Sequence, residues 1–404
     1  MKPSANIGLK LRTYRLSEIL FCLCLLSMFV PWKIYPALFL CSAVLFFVET
    51  YKLNTATLFD FIKKPWFIFL TIFAIYASIS YFVSYGGQGQ QVTNFLKLLI
   101  NVVFFCTSMY WLSMRDNTRL LRMLDVSMHL LFLLCFIQLM LYHANVQFQL
   151  ITGAASSAKA SALYNQSLFI WGLSDKNMFG ARLALLGFAY IILPMARKNQ
   201  INCWRILYIF LLAYLSLSRT PIVALLIGIF FLLWFFSKKP FKIGILIMTG
   251  ALLPFVARKL VRVEHLTASN DGMGVRITYW KAFFQHFEAI SPFGNGFLKG
   301  GDFLQQYAAY YHGEPHIHNT FLSCYLEFGW IGFISYSLFL LFFYLYCIHI
   351  NPIRFYWLAA FLPLIAIMMI LYSGYDNDII FYLLLIFAVG SSKEIVKEEI
   401  KIKR

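Results

Sequence analysis

Twelve times along its 404 residues the chain runs through an apolar stretch of about fifteen to twenty residues, close to the length that carries a helix across roughly 30 Å of hydrocarbon. Lipid offers no hydrogen bonds to the backbone, so a spanning segment must satisfy its own N–H and C=O groups as a helix or within a closed barrel. Barrel strands would be shorter and alternate in polarity, and these stretches do not. The predicted spans are 16–31, 34–50, 66–83, 97–114, 124–143, 178–196, 204–218, 220–236, 241–257, 328–348, 354–373 and 378–392. They give an all-α, polytopic membrane helix bundle of about twelve transmembrane helices. Residues 1–257 hold spans one to nine, residues 258–319 form one large loop, and residues 320–404 hold the last three spans and a tail. A hydrophobic share of 61% with only 13% charged residues likewise lies far outside the range of a soluble domain. No small-residue cleavage pattern follows the first stretch, which reads as a retained span rather than a signal peptide.

Lysine and arginine fall in a fixed phase. Lys2, Lys10, Arg12 and Arg15 precede span one; Lys52, Lys63 and Lys64 follow span two; Arg115, Arg119 and Arg122 follow span four. Arg197, Lys198 and Arg205 follow span six, Lys238, Lys239 and Lys242 follow span eight, and Lys393, Lys397, Lys401, Lys403 and Arg404 fill the tail. Short cytoplasmic loops are enriched in both residues, so both termini are expected in the cytoplasm. The net charge of +17 then reports topology and contact with anionic lipid heads, and implies no nucleic acid. The eight cysteines have neither metal-ligand spacing nor the arrangement of a disulfide framework.

Basic residues on the opposite side run against that pattern: Arg219, Arg258, Lys259, Arg262, Arg276, Lys281 and Lys299. Low-dielectric walls around such charge would strengthen its pull on an anionic ligand. Long outer loops tolerate this charge anyway. Arg219 is different, because the connection from Leu217 to Pro221 is very tight and places a guanidinium at membrane level. An arginine there suggests a functional site, or a snorkelling anchor that reaches the headgroups.

The interval 258–319 is the longest polar one in the chain, and long ordered loops are more often functional than decorative. After Gly272 and Gly274, residues Ile277, Trp280, Phe283, Phe284 and Phe287 recur at helical spacing, while Arg276, Lys281, Gln285 and Glu288 take the other face. This predicts an amphipathic helix in the outer interface with buried aromatic anchors. Pro292, Gly294 and Gly296 then mark a turn. His316 and His318 close the loop and would point the same way in an extended segment. An imidazole titrates near working pH and is a natural proton acceptor. Two imidazoles without a cysteine or carboxylate cluster make a weak metal site, so no metal is expected.

Taken in order, Ser218, Arg219 and Thr220; Gly274, Val275 and Arg276; Pro292, Gly294 and Gly296; then His316, Ile317, His318 and Asn319, followed by Leu322, Glu327, Gly329 and Gly332, resemble the bacterial O-antigen ligase and O-antigen polymerase superfamily, its ligase branch most closely. Residues 172–175 and Asn177 extend the resemblance. It implies a glycosyltransferase embedded in the bacterial inner membrane, working on the periplasmic face with no cofactor, nucleotide sugar or metal. The implied donor is a glycan on undecaprenyl pyrophosphate; for a ligase the acceptor is a hydroxyl of the lipid A core, and for a polymerase a growing glycan on its carrier. Arg219 and Arg276 would clamp phosphate oxygens as negative charge develops on the leaving group. His318 would take the acceptor's proton, with His316 as alternative or support. Lys281, Asn319 and Asn177 are further candidates for substrate contact. Each residue has a plainer reading: Arg276 paired with Glu288 or lipid phosphate, His318 and Asn319 capping the following helix, Asn177 capping span six. A lipid-linked sugar transporter is a third possibility. It calls for ionisable residues in mid-span and paired broken helices, whereas Asp60, Asp116, Asp125, Glu394, Glu398 and Glu399 lie at or beyond span ends.

Overall fold

Every predicted span coincides with a helix in the computed structural model of the protein, which describes residues 5–30, 34–51, 56–86, 91–152, 176–198, 200–255, 272–311, 313–351, 354–371, 376–391 and 401–403. Arg258, Lys259, Arg262 and residues 172–175 lie outside the described residues. The helices are α1 (Ala5–Ser27), α2 (Tyr35–Tyr51), α3 (Ala56–Ile62), α4 (Pro65–Tyr85), α5 (Val92–Ser113), α6 (Thr118–Asn145), α7 (Gln149–Thr152) and α8 (Lys176–Lys198). They continue with α9 (Cys203–Leu215), α10 (Thr220–Phe236), α11 (Lys239–Phe255), α12 (Gly272–Gln285), α13 (Gly300–Tyr307), α14 (Thr320–Ile350), α15 (Arg354–Met368) and α16 (Asn377–Gly390). Five of them, α4, α5, α6, α8 and α14, are long and apolar enough to cross a membrane. The outward stripe of α4 explains why this is a multi-pass membrane protein: Ile68, Ile72, Ile75, Ile79, Phe82 and Val83 recur at helical spacing and are all exposed. Water would penalise so long an apolar face, whereas lipid solvates it.

The chain forms two compact units. The first comprises residues 1–58, 103–222 and 381–404. Its core is aromatic: Phe39 stacks on Phe104 at 4.1 Å between ring centroids, and Phe46 on Trp111 at 4.4 Å. Residues 381–389 of α16 are buried on all sides, as befits a helix with no polar face. Glu18 is buried and pairs with Arg115 and, at 3.1 Å, with Arg119, so an acid inside the first span is matched by basic residues of the α5–α6 connection and the first turn of α6. Strand β1 (Gln200–Asn202) pairs in parallel with β2 (Lys401–Lys403). That pairing joins the α8–α9 connection to the tail, two segments that the phase of basic residues places on one side.

The second unit comprises residues 59–102 and 223–380. Here α4 packs along α14, with Phe69 stacked on Phe342 at 5.3 Å and Phe73 edge-on to Phe328 at 5.5 Å. The polar loop folds into its own core of Val275, Tyr279, Phe283, Ile290, Phe303, Leu304, Ile317, Tyr325 and Leu326. This core gathers α12, α13, the histidine segment and the start of α14.

Candidate functional site

Helix α12 is oriented differently from the expectation. Gly274, Val275, Arg276, Tyr279, Ala282 and Phe283 are its buried residues, whereas Phe284 and, just beyond the helix, Phe287 are exposed. Apolar side chains occur all round this helix, and the packing of α13 and α14 selects the Val275–Tyr279–Phe283 stripe. Arg276 therefore leaves the polar face assigned to it and joins the packed one, 9% exposed. Residues three apart on a helix are surface neighbours, so its guanidinium stem starts one turn from the wholly buried Tyr279. Lys281, by contrast, is exposed.

A locked turn follows. Helix α14 breaks at Gly329, whose φ of 58° and ψ of −154° belong to a region essentially reserved for glycine. The backbone groups at the break are met by the turn 291–296: Asn295 N donates to Leu326 O (2.7 Å), Gly296 N to Glu327 O (3.1 Å), and Trp330 N to Pro292 O (2.9 Å). A Cβ at Gly329 would lie 2.0 Å from Pro292 O, and one at Gly294 2.4 Å from Glu327 O. Glu327 is buried within the helix and accepts from Leu298 N at 3.1 Å. The proline, the two glycines, Glu327 and Gly329 thus make a single joint.

The histidine segment sits between α13 and that helix. Gly300 and Gly301 bring α13 close to it, since a Cβ would lie 2.8 Å from Pro315 O and 3.0 Å from Tyr311 Oη respectively. Ile317, fully buried, anchors the segment in the loop core. His318 adopts φ 57°, a left-handed conformation uncommon for a residue with a Cβ. This bend, rather than a continued extended run, sets the two imidazoles edge to face with ring centroids 4.9 Å apart. Asn319 is the N-cap of α14. Its Oδ1 accepts from Phe321 N and Leu322 N, and its Nδ2 donates to Met369 O at 3.3 Å. Capping therefore belongs to Asn319, and His318 is left for other work.

A carboxylate completes the cluster. Glu314 Oε1 lies 4.0 Å from His318 Nε2, and Glu314 Oε2 accepts a short hydrogen bond from the Tyr279 hydroxyl. The Tyr279 and His318 rings lie nearly parallel, 6.2 Å apart. Burial alone would raise the Glu314 carboxyl, but His318 and the Tyr279 hydroxyl beside it hold it down at about 2. It is an anion at any working pH. Burial, followed by the neighbouring His318, pushes His316 down to about 4; at neutral pH it is uncharged and a weak proton acceptor. Neither Tyr279 nor Glu314 stood out in the sequence, although Glu314 is the one carboxylate between Asp302 and Glu327. Among the described residues no three His, Cys, Asp or Glu side chains are placed to hold a metal ion.

Arg219 belongs to the first unit. The turn that carries it is tightly made: Leu217 takes φ 57°, Ser218 Oγ donates to Asn177 Oδ1 at 3.1 Å, and the buried His143 bonds Leu215 O through Nε2 at 2.7 Å. A Cβ on Gly180 would lie 2.9 Å from that of Ser218, so α8 presses directly on the turn. Asn177 lies inside α8 and holds the arginine turn through Ser218. Arg219 itself is half-buried.

Residues 204–337, about a third of the chain, match the family described as O-antigen ligase. No curated protein matches the chain. The matched segment contains Arg219, Arg276, the Pro292–Gly329 joint and both histidines, so this part of the chain is similar to the O-antigen ligase family.

Proposed function

We propose that the protein is an O-antigen ligase of the bacterial inner membrane, transferring a glycan from undecaprenyl pyrophosphate to a hydroxyl of the lipid A core on the periplasmic face, without metal or nucleotide sugar. The observation that supports this reading is the meeting of α12 with the histidine segment through the hydrogen bond of Tyr279 to Glu314, with the carboxylate 4.0 Å from His318 and the buried Arg276 one turn before Tyr279 in α12. Such a site offers what the reaction needs. The acceptor oxygen bonds to the anomeric carbon while its proton passes to His318. The bond from that carbon to the pyrophosphate breaks with its electron pair leaving on phosphate, and Arg276 meets the growing charge. A guanidinium presents two parallel N–H groups to phosphate oxygens and keeps its charge throughout. His316 is held neutral and supports the ring of His318 edge to face. Arg219, on its rigid turn, is the second phosphate ligand, and Asn177 acts through that turn. Lys281, exposed beyond the packed face of α12, meets the glycan or a lipid phosphate.

Purified full-length protein mixed with an undecaprenyl-pyrophosphate-linked glycan and lipid A core, with chelator and no nucleotide, tests the reading. Glycosylated lipid A core is the expected product. Extension of glycan on its carrier instead would make the protein a polymerase. A labelled glycan moved unaltered across a vesicle bilayer, without a new glycosidic bond, would make it a transporter.

A further inference from the structure

We propose that Glu314 is a positioning residue for His318: anchored by the Tyr279 hydroxyl, its carboxylate holds the imidazole as the Nε2–H tautomer, leaving Nδ1 as the atom that receives the acceptor's proton. The inference deepens the transfer reaction proposed above and rests on it for the role of Nδ1. Nε2 of His318 is directed at Glu314 Oε1. Nδ1 is buried and makes no hydrogen bond with any described residue. Buried polar atoms in proteins almost always have a partner, so an imidazole nitrogen left this way is suited to one supplied by a substrate. The distance of 4.0 Å exceeds a hydrogen bond, and catalytic contacts are commonly long before substrate binds and tighten afterwards.

The carboxylate is itself fixed from two sides. Tyr279 is fully buried on α12 and donates to Oε2, so Oε1 is the oxygen turned to the imidazole. Tyr311, whose ring centroid lies 6.5 Å from that of Tyr279, and the glycine pair at the start of α13 close the other side. A tyrosine hydroxyl, a carboxylate and an imidazole in series restrict both ring rotation and tautomer, the logic by which a third group orients a base in other transferases and hydrolases. Among the described residues the titratable groups with a stated contact to His318 are Glu314, His316 and Tyr279, with Arg276 one turn from Tyr279 on α12 and Tyr311 beside Tyr279.

The test uses the full-length protein in proteoliposomes with an undecaprenyl-pyrophosphate-linked glycan and lipid A core. Glu314→Gln is expected to lower kcat on the order of 10²-fold, within the range a general base contributes, with KM for the donor unchanged. Tyr279→Phe should lower kcat less. Wild-type kcat in Glu314→Gln would overturn the proposal. Where Glu314→Gln fails to accumulate in membranes, Tyr279→Phe decides, and wild-type behaviour there overturns it equally. A second readout needs no turnover: imidazole ¹⁵N spectra of the full-length protein, assigned to His318 by difference from His318→Gln. An Nε2–H ring in the wild type that loses its preference in Glu314→Ala is expected, whatever glycan is transferred. An Nδ1–H ring would defeat the positioning role while leaving the transferase reading intact, and absence of transfer with an Nε2–H ring would do the reverse.

Discussion

His316 and His318 are two residues apart and their rings touch, yet their surroundings give them different chemistry. Burial and the adjacent ring hold His316 down at about 4, whereas His318 faces a carboxylate. His318→Ala should therefore abolish transfer, and His316→Ala should retain part of it, both measured as product formed per unit of protein in the membrane. Equal loss in the two would remove the distinction. Arg276→Lys should also fail although charge is kept, since an ammonium is a point charge without the paired geometry of a guanidinium; a variant with wild-type rate would count against a phosphate clamp. Glu314 yields a pH prediction. Its carboxyl is depressed to about 2, so its contacts stabilise the loop fully above the ordinary carboxylate range and are lost as pH falls toward that value. Protease resistance of the loop should decline over that acid window, and Glu314→Gln should abolish the dependence. The sequence exposed the histidines and arginines because they fall out of phase with the other basic residues or close the longest polar interval. Tyr279 and Glu314 stayed hidden, being ordinary loop residues whose partnership spans 35 positions and is created by the fold.

At the scale of elements, the spans were legible because apolar length is a property of the local sequence. The orientation of α12 was not. With Ile277, Trp280, Phe284 and Phe287 on one side and Val275, Tyr279 and Phe283 on another, the helix offers two apolar stripes, and neighbours outside its own sequence choose between them. The same neighbours bury Arg276. The break in α14 was partly visible as glycines at 294, 296 and 329, but their role as one joint depends on hydrogen bonds between segments about thirty residues apart. Gly329→Ala should cost about 1–3 kcal/mol from backbone conformation, before the contact with Pro292 O is counted. Asn319→Ala, which strips α14 of its cap, should cost about 1 kcal/mol. Thermal unfolding in detergent measures both, and Gly329→Ala is expected to be the more damaging. The opposite order would mean that the joint is softer than its geometry implies.

For the molecule as a whole, the pairing of β1 with β2 joins the α8–α9 connection to the tail, and Glu18 pairs with Arg115. The order of motifs pointed to the superfamily that residues 204–337 match. Arg219, carried on the turn before α10, is proposed as a phosphate ligand. Arg219→Ala should then abolish transfer at normal membrane abundance; reduced abundance instead would mark the arginine as a membrane anchor. The most direct measurement is transfer by purified full-length protein, comparing wild type with His318→Ala in chelator. Glycosylated lipid A core is expected from the wild type and none from the variant. Product from both, or from neither under conditions where the donor is intact, would contradict it.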